Sequence, residues 1–270
     1  MPLSRITLPL FLPATRLDRF ARAQGAGADA VILDLEDAVA EEDKHAARNA
    51  LADLPARTPG DVPVLVRINA TDSPFFTEDA AAMKGLPIDG LILPKAEDAA
   101  ACATLSRQTG LPVIGLIETA RGIRNAEAVA EACLRLAFGS IDYAADLGLA
   151  HEREALLHAR SELVLASRLA NRPAPWDGVT PGIKDETAIE TDCRHSVAMG
   201  FGGKLIIHPA QIAPARRGFA PSPDELDWAT RVTAAAAAEN AAAIKVDGQM
   251  IDAPVVKRAE QILARAGGTR

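Results

Sequence analysis

The sequence predicts an α/β fold, specifically a closed (β/α)₈ barrel with additional C-terminal helices. Eight short apolar runs alternate with longer segments that are rich in alanine and charged residues. Successive runs begin roughly 20 to 40 residues apart, which leaves room for one helix and two loops between neighbouring strands. Polar residues collect where the runs end rather than where they begin, as expected at the functional face of a barrel. The runs are 8–12, 30–35, 64–68, 90–93, 113–117, 134–138, 177–179 and 204–207.

The segments between the runs are predicted to be helices, because they are rich in Ala, Leu, Glu and Arg and stop at Gly or Pro. Segment 74–85 has the fewest helix signals, and run 177–179 is the least strand-like of the eight. An open, doubly wound sheet is the structural alternative, but no Gly-rich phosphate-binding fingerprint follows the first strand. The predicted helices are 16–24, 44–54, 74–85, 97–108, 125–133, 152–171 and 185–199.

Two parts of the chain are expected to differ in role. Residues 1–220 form the catalytic barrel domain, and residues 221–270 form a helical extension. Within the extension we predict helices at 221–244 and 254–266. Residues 245–252 between them read as a short extended, hairpin-like piece rather than a ninth barrel strand.

Composition limits the classes of function. The 270 residues are 49% hydrophobic, enough for a sizeable core, and carry a net charge of −7. This charge argues against nucleic acid as a partner, although a local arginine cluster would still bind an anionic small molecule. The sequence contains neither a signal-peptide pattern nor a stretch of about 20 uninterrupted apolar residues, so we expect a cytoplasmic protein without a membrane span. Cys102, Cys133 and Cys193 lack metal-ligand spacing and are predicted to be free thiols.

The polar residues at the strand ends suggest chemistry. Glu118 and Asp142 end the fifth and sixth strands, and two carboxylates suit a hard divalent cation such as Mg²⁺. An arginine at the end of the third strand suits a substrate carboxylate or an enolate oxygen. Phosphoryl transfer, enolisation and carbon–carbon cleavage would all use a cation with an arginine. The strand-end residues are Asp34, Glu36, Asp37, Arg67, Asn69, Lys95, Glu118, Asp142 and His208.

Each of these residues also has a structural interpretation. Glu118 or Asp142 could cap the helix that follows its strand. Arg67 could be the ion-pair partner of the acids after the second strand. Lys95 could be a Schiff-base amine or a member of a salt bridge, and His208, which precedes a proline, would fix a loop.

Eight strings resemble the citrate lyase beta subunit and CoA-ester lyase family. They extend from the first strand to the last helix, so the resemblance covers nearly the whole chain. Their combination is specific, whereas any single string would be weak. The strings are LFLP at 10–13, VILDLEDAV at 31–39, VRIN at 66–69, LPK at 93–95, LIET at 116–119, FGSIDY at 138–143, IHPAQ at 207–211 and GQMIDAP at 248–254.

The resemblance implies a (β/α)₈ barrel that assembles as a homotrimer or a larger oligomer. It implies Mg²⁺ held by Glu118 and Asp142, with Asp146 as the rival for the second position. Glu118 would also contact the substrate. Glu36 and Asp37 would orient waters bound to the metal.

The same resemblance assigns residues to the substrate. Arg67 would contact the acyl and carboxylate oxygens and stabilise an enolate. Arg16 would lie near the phosphates of CoA, although Ala14 and Thr15 replace the family's usual Gly followed by a polar residue. Asp252 would serve as general acid/base in the site of a neighbouring subunit, whereas its structural interpretation is a cap for the last helix.

The activity implied is Mg²⁺-dependent cleavage of a 3-hydroxy-3-carboxyacyl-CoA thioester, such as malyl-CoA or citramalyl-CoA. The products would be a 2-oxo acid and an acyl-CoA. The alternatives are a citrate lyase beta subunit acting on a citryl-acyl carrier protein, an aldolase that uses Lys95 as a Schiff base, and a non-catalytic barrel that binds CoA esters. The acyl group is decided by pocket shape rather than by a motif. The sequence does not choose between cleavage, condensation and thioester hydrolysis.

Overall fold

The computed structural model describes residues 1–239, 243–246 and 248–268. Within these residues, eight parallel strands form one sheet whose spatial order is the chain order. The last strand returns to the first, since Phe11 N donates to Ile206 O (2.8 Å) and Lys204 N donates to Thr7 O (2.8 Å). The predicted (β/α)₈ barrel is therefore confirmed. The strands are β1 Pro9–Pro13, β2 Ala30–Asp34, β3 Val64–Arg67, β4 Gly90–Leu93, β5 Val113–Ile117, β6 Arg135–Phe138, β7 Trp176–Asp177 and β8 Gly203–Lys204.

The barrel interior explains why the strand runs are continuously apolar. Parallel strands covered on both faces bury every side chain, so their sequences do not alternate between polar and apolar residues. Trp176 is fully buried inside the barrel, and its Nε1 donates to Ile6 O at 2.8 Å. This packing makes β7 begin at Trp176, one residue before the predicted run. The interior cluster is Ile6, Ala30, Ile32, Leu65, Ile92, Ile114, Leu116, Ala137, Trp176 and Leu205.

Helices follow the strands as predicted, with additions. Segment 16–24 is helical, but its first part is a 3₁₀ turn over Ala14–Arg19. Three short helices were not predicted: α5 and α7, which begin just after β5 and β6, and α10, which follows β8. The helices up to residue 219 are α1 Phe20–Gln24, α2 Lys44–Ala50, α3 Phe76–Ala82, α4 Ala99–Thr109, α5 Ala120–Arg124, α6 Ala126–Ala132, α7 Ser140–Leu147, α8 Leu157–Leu169, α9 Glu186–Met199 and α10 Ile212–Phe219.

Residues 216–270 form a second compact unit, so the division falls five residues before the expected one at 220/221. The unit contains α11 (Pro223–Glu239), strands β9 (Ala243–Val246) and β10 (Gln249–Asp252), and α12 (Ala253–Gly268). The two strands pair antiparallel, which confirms the hairpin. The predicted helix 221–244 is too long, because residues 243 and 244 pair with β10; residues 240–242 lie outside the described part. The core of the unit is Ala229, Val232, Ile251, Ala259 and Ile262.

Cys102, Cys133 and Cys193 are buried free thiols, as predicted. Among the described residues, we find no helix with both the length and the apolar character needed to cross a membrane.

We expect Gly203→Ala to destabilise the barrel by about 2 kcal/mol, the usual cost of overpacking a tight site. A Cβ at Gly203 would overlap the carbonyl oxygen of Thr7 and lie 2.7 Å from Trp176 Cδ1, where β8 closes against β1 and β7. The matched control is Gly182→Ala, where a Cβ meets no atom within 4 Å. Urea denaturation followed by circular dichroism measures both variants, and equal midpoints would contradict the packing argument.

Candidate active site

A cavity of about 430 Å³ lies at the carboxyl ends of the strands. Five of the polar residues predicted to gather there line it together: Asp34, Asp37, Arg67, Glu118 and Asp142. Apolar side chains from the ends of β1, β5 and β6 and from the loops after β7 and β8 form most of the remaining wall, which also includes Ser140. The lining residues are Phe11, Pro13, Asp34, Asp37, Ala38, Arg67, Leu116, Glu118, Phe138, Gly139, Ser140, Ile141, Asp142, Val179, Leu205 and Ile207.

Glu118 is a buried carboxylate with one unused oxygen. Its Oε1 accepts a hydrogen bond from Lys95 N at 2.8 Å, while its buried Oε2 has no hydrogen-bond partner. Burial, reinforced by the charge of Glu36, raises the pKa of Glu118 to about 8. The capping interpretation of Glu118 is wrong, because Thr119 caps α5 by accepting from Gly122 N at 3.0 Å.

Asp142 reaches the same cavity from the neighbouring strand. A Cβ at Gly139 would overlap Glu118 Oε2, so a glycine is required where β6 passes Glu118. Helix α7 then begins at Ser140, which places Asp142 in its first turn; Gly139 holds the cap position, so the N-cap interpretation of Asp142 is wrong. Burial first, and then the charge of Asp37, raise the pKa of Asp142. The charge of Asp142 also raises the pKa of Glu118, as expected for two nearby carboxylates.

Asp146, the rival of Asp142, has a different position. Its Oδ2 accepts a hydrogen bond from Ala120 N at 2.8 Å, at the start of α5. It does not line the cavity. The geometry therefore favours Asp142 over Asp146 as the carboxylate that accompanies Glu118 in the cavity.

Arg67 is a buried cation held by acids from the end of β2. Its Nε and Nη2 donate to the two oxygens of Asp34 at 2.8 and 2.6 Å, and its Nη1 lies 2.9 Å from Glu36 Oε2. The ring of Phe11 lies 4.9 Å from the guanidinium carbon. Burial acts to lower the pKa of Arg67, but the charges of Asp34, Glu36 and Asp37 more than reverse this effect and raise it. The ion-pair interpretation is confirmed, and Arg67 also faces the cavity.

Glu36 and Asp37 differ in exposure. Glu36 is buried and does not line the cavity, and burial raises its pKa to about 7 against the opposing charge of Arg67. Asp37 lines the cavity with a largely exposed carboxylate, 3.6 Å from Arg67 Nη1. Lys44 Nζ fixes the loop by donating to the carbonyl oxygens of Leu35 and Glu36, both at 2.9 Å.

Arg16, Lys95 and His208 likewise do not line the cavity. Arg16 pairs with Asp18 at 3.0 Å on the exposed 3₁₀ turn after β1. Lys95 has an exposed side chain, and its backbone adopts a left-handed conformation (φ 46°) that points its N–H at Glu118. A Schiff-base lysine requires a desolvated amine, which Lys95 lacks. His208 fixes its loop as predicted, since its Nδ1 accepts from Ala210 N at 3.1 Å.

Asp252 belongs to the second compact unit and ends strand β10. It is exposed, and its Oδ1 accepts a hydrogen bond from Val255 N at 3.3 Å. The capping role is therefore present in the structure. The hydrogen bond occupies Oδ1 and leaves the carboxylate accessible to solvent.

Two residues of the site were missed from the sequence. Ser140 lines the cavity, and its Oγ lies 2.9 Å from Nε2 of His151. A serine that starts a helix and a histidine eleven residues later match no catalytic motif, so only the folded chain brings them together. His151 faces a second cavity of about 460 Å³.

The donor set fits a hard divalent cation. Glu118 Oε2 is buried without a hydrogen bond, and Asp142 shares its cavity. Among the residues that the structure describes, no cluster of three or more His, Cys, Asp or Glu is arranged to hold a metal ion. Two carboxylates, completed by water and substrate oxygens, match the coordination habits of Mg²⁺-sized ions rather than those of zinc.

Known proteins resemble this chain along nearly its whole length. A family model described as HpcH/HpaI aldolase/citrate lyase matches residues 7–209. The citrate lyase subunit beta-like protein of Mycobacterium tuberculosis is 41% identical over 267 residues, which is 96% of this chain and 94% of that protein. A (3S)-malyl-CoA thioesterase of Cereibacter sphaeroides is 35% identical over 266 residues, 95% of this chain and 93% of that protein. CitE of M. tuberculosis, crystallised with magnesium, acetoacetate and coenzyme A, superposes with a TM-score of 0.88 and 39% identity, covering 98% of this chain and all of that one (100%).

We expect the free energy of unfolding to fall less steeply between about pH 5 and 8 in Glu118→Gln than in the parent protein, measured without divalent cations. The pKa of Glu118 is about 8 in the folded chain, against an ordinary value of 4.5. The unfolded chain therefore releases this proton at lower pH, and the free energy of unfolding falls as pH rises through this window. Urea midpoints at several pH values test this, with Glu42→Gln, an exposed glutamate, as control. Parallel pH profiles for the parent and Glu118→Gln would contradict the buried-acid assignment.

Proposed function

The chain belongs to the HpcH/HpaI aldolase/citrate lyase family, and we propose that it is a Mg²⁺-dependent carbon–carbon lyase acting on a CoA thioester. The substrate class is a 3-hydroxy-3-carboxyacyl-CoA of the malyl-CoA or citramalyl-CoA type, and the products are a 2-oxo acid and an acyl-CoA. One observation carries the proposal: the buried Glu118 carboxylate, with an unbonded oxygen, shares a cavity with Asp142 and Arg67. The CitE relative bound to magnesium, acetoacetate and coenzyme A supports the choice of ligands.

Glu118 and Asp142 would hold the Mg²⁺ ion. When bound, the ion supplies Lewis acidity toward a hydroxyl and an adjacent carboxylate oxygen. Its charge would also favour the ionised form of both carboxylates, against the burial that raises their pKa values. Glu36 and Asp37 would orient waters around this position.

Arg67 would stabilise the enolate oxygen that develops when the carbon–carbon bond breaks. Its ion pairs with Asp34 and Glu36 hold the guanidinium in place before the substrate arrives, so no reorganisation is needed during the reaction. Arg16, which is exposed beyond the end of β1, would contact the phosphates of CoA by exchanging its ion pair with Asp18.

Asp252 would return a proton to the acyl carbon. In this proposal it acts in the active site of a neighbouring copy of the chain, within a homotrimer or a larger assembly. The exposure of its carboxylate supports this role, and the cap on Val255 N orients the side chain through Oδ1.

We expect Mg²⁺-dependent release of a 2-oxo acid from at least one of malyl-CoA, citramalyl-CoA and citryl-CoA, measured in a coupled assay. EDTA should abolish turnover. Glu118→Gln and Asp142→Asn should each remove it while leaving the circular dichroism spectrum unchanged, whereas Asp146→Asn should retain it. Full activity of Glu118→Gln would overturn the metal assignment, and free thiol release without any 2-oxo acid would assign hydrolysis instead of cleavage.

The affinity for Mg²⁺ should rise with pH. The raised pKa of Glu118, about 8, means that a proton competes with the ion at this carboxylate below that pH. Isothermal titration calorimetry should show the dissociation constant falling about tenfold per pH unit between pH 6 and 7, as expected for release of one proton. A pH-independent dissociation constant would place the ion elsewhere.

Mixing two inactive variants tests whether Asp252 serves another copy. Asp252→Asn should be inactive although asparagine caps a helix as well as aspartate does. When it is co-refolded with Glu118→Gln, mixed oligomers should regain part of the parental activity, because some sites combine an intact Glu118 with an intact Asp252. The matched control is a mixture of Asp142→Asn and Glu118→Gln, whose defects lie in the same barrel and should not complement. No recovery in the first mixture would contradict a shared site.

A further inference from the structure

One hydrogen bond joins residues that line two different cavities of the barrel unit. Ser140 lines the candidate active-site cavity beside Asp142, and His151 lines the second cavity of about 460 Å³ with Arg153 and Arg160. Ser140 Oγ and His151 Nε2 are 2.9 Å apart. This pair therefore connects the interior of the candidate site with an imidazole that is accessible to solvent.

The hydroxyl of Ser140 is held in place by the backbone around it. Ser140 is 1% exposed and begins α7, directly after Gly139. Gly178, which follows β7, has no side chain, and a Cβ there would overlap Ser140 Oγ. The space that the hydroxyl occupies exists only because residue 178 is glycine.

The charges around His151 favour its neutral form. Partial burial is the largest effect that lowers the pKa of His151, and the cations Arg160 on α8 and Lys204 on β8 act in the same direction. Asp192 on α9 and Asp177 on β7 oppose them without reversing the shift. A neutral imidazole accepts a proton at the ring nitrogen that carries no hydrogen. The remaining charged groups that line the second cavity are Glu152, Arg153 and Asp185.

The proposed lyase reaction needs a base that the assignments above do not supply. Cleavage begins when the substrate hydroxyl loses its proton, but Glu118 and Asp142 are committed to the cation. Arg67 is itself a cation, and Asp252 delivers a proton to the departing carbon. Asp34 and Asp37 also line the cavity, but both face Arg67. Ser140 is a further polar group in the cavity wall, and its partner is an imidazole.

We propose, on the basis of the function above, that Ser140 and His151 form the proton relay that deprotonates the substrate hydroxyl. The substrate O–H bond breaks and its proton moves to Ser140 Oγ, while the hydroxyl proton of Ser140 moves to His151 Nε2. The electron pair left on the substrate oxygen forms the new carbonyl bond. The carbon–carbon bond breaks, and its electron pair passes to the enolate. His151 then loses one proton to water in the second cavity and regains its neutral form with hydrogen on Nδ1 through proton exchange with that water. One proton therefore leaves there and one enters through Asp252.

A purely structural role makes different predictions. If the hydrogen bond only anchors the start of α7 to the loop before α8, any side chain that restores it should preserve activity. Glutamine at position 151 bonds to a serine hydroxyl but does not carry a proton at neutral pH. The relay therefore predicts that His151→Gln loses activity, whereas a purely anchoring hydrogen bond predicts that it keeps the activity of the parent protein.

The first test needs no substrate. Nitrogen-15 NMR of the histidine-labelled parent protein reports which ring nitrogen of His151 carries the proton, with signals assigned by their loss in His151→Gln. The relay requires Nδ1 to be protonated and Nε2 to accept from Ser140 at neutral pH. A proton on Nε2 overturns the relay, whatever the enzyme's activity proves to be.

The second test is kinetic and uses the thioester that the parent turns over. His151→Ala and His151→Gln should lower kcat on the order of 10²-fold, the usual contribution of a general base, and should lose the fall in kcat at acidic pH. Added imidazole should partly restore His151→Ala, because the second cavity is open to a ligand of that size, but should not restore Ser140→Ala. His158→Ala, at an exposed histidine of α8, should match the parent. If His151→Gln keeps the parental kcat and pH profile, the relay is overturned. If the parent protein is inactive on every thioester, the proposed lyase function is refuted, and the NMR experiment alone decides the relay.

Discussion

The site depends on one buried guanidinium. Arg67 and Asp34 are register partners on adjacent strands, so their side chains point the same way and meet inside the barrel mouth. Burying an unpaired arginine would cost several kcal/mol, and the two-pronged contact with Asp34 offsets that cost. The same guanidinium attracts Glu36 and Asp37, and so orders the loop after β2. Without Arg67, three acids at the end of one strand would repel one another.

One arginine does not neutralise all the acids at the mouth of the barrel. The pKa of Glu36 rises to about 7 and that of Glu118 to about 8, mainly through burial and partly through neighbouring carboxylates. A folded chain that places acids in such an environment loses stability as they ionise. The arrangement is favourable for a site that binds a cation, because bound positive charge restores the ionised state. Arg67 then remains available to a developing negative charge on a substrate.

The side chain of Asp252, in the second compact unit, is exposed to solvent. Along β10, Ile251 is 2% exposed and packs into the core of that unit, whereas Met250 is 78% exposed and Asp252 is also exposed. This alternation follows from the two-residue period of a strand, which sends neighbouring side chains to opposite faces. Strand pairing and the buried Ile251 thus fix the direction of the Asp252 carboxylate more firmly than a loop would.

The sequence by itself determined the barrel, its strand ends and most of its candidate acids. Continuous apolar runs indicate strands that are buried on both faces. The parallel strands of a barrel end at the same rim, so the proximity of Arg67, Glu118 and Asp142 was predictable. Only the tertiary structure decided what each one contacts. Whether Glu118 caps a helix depends on Thr119, which takes that role, and the isolation of its second oxygen depends on Gly139 from another strand. The pair of Ser140 and His151 left no sequence signal, because only the folded chain brings the start of α7 next to the loop before α8.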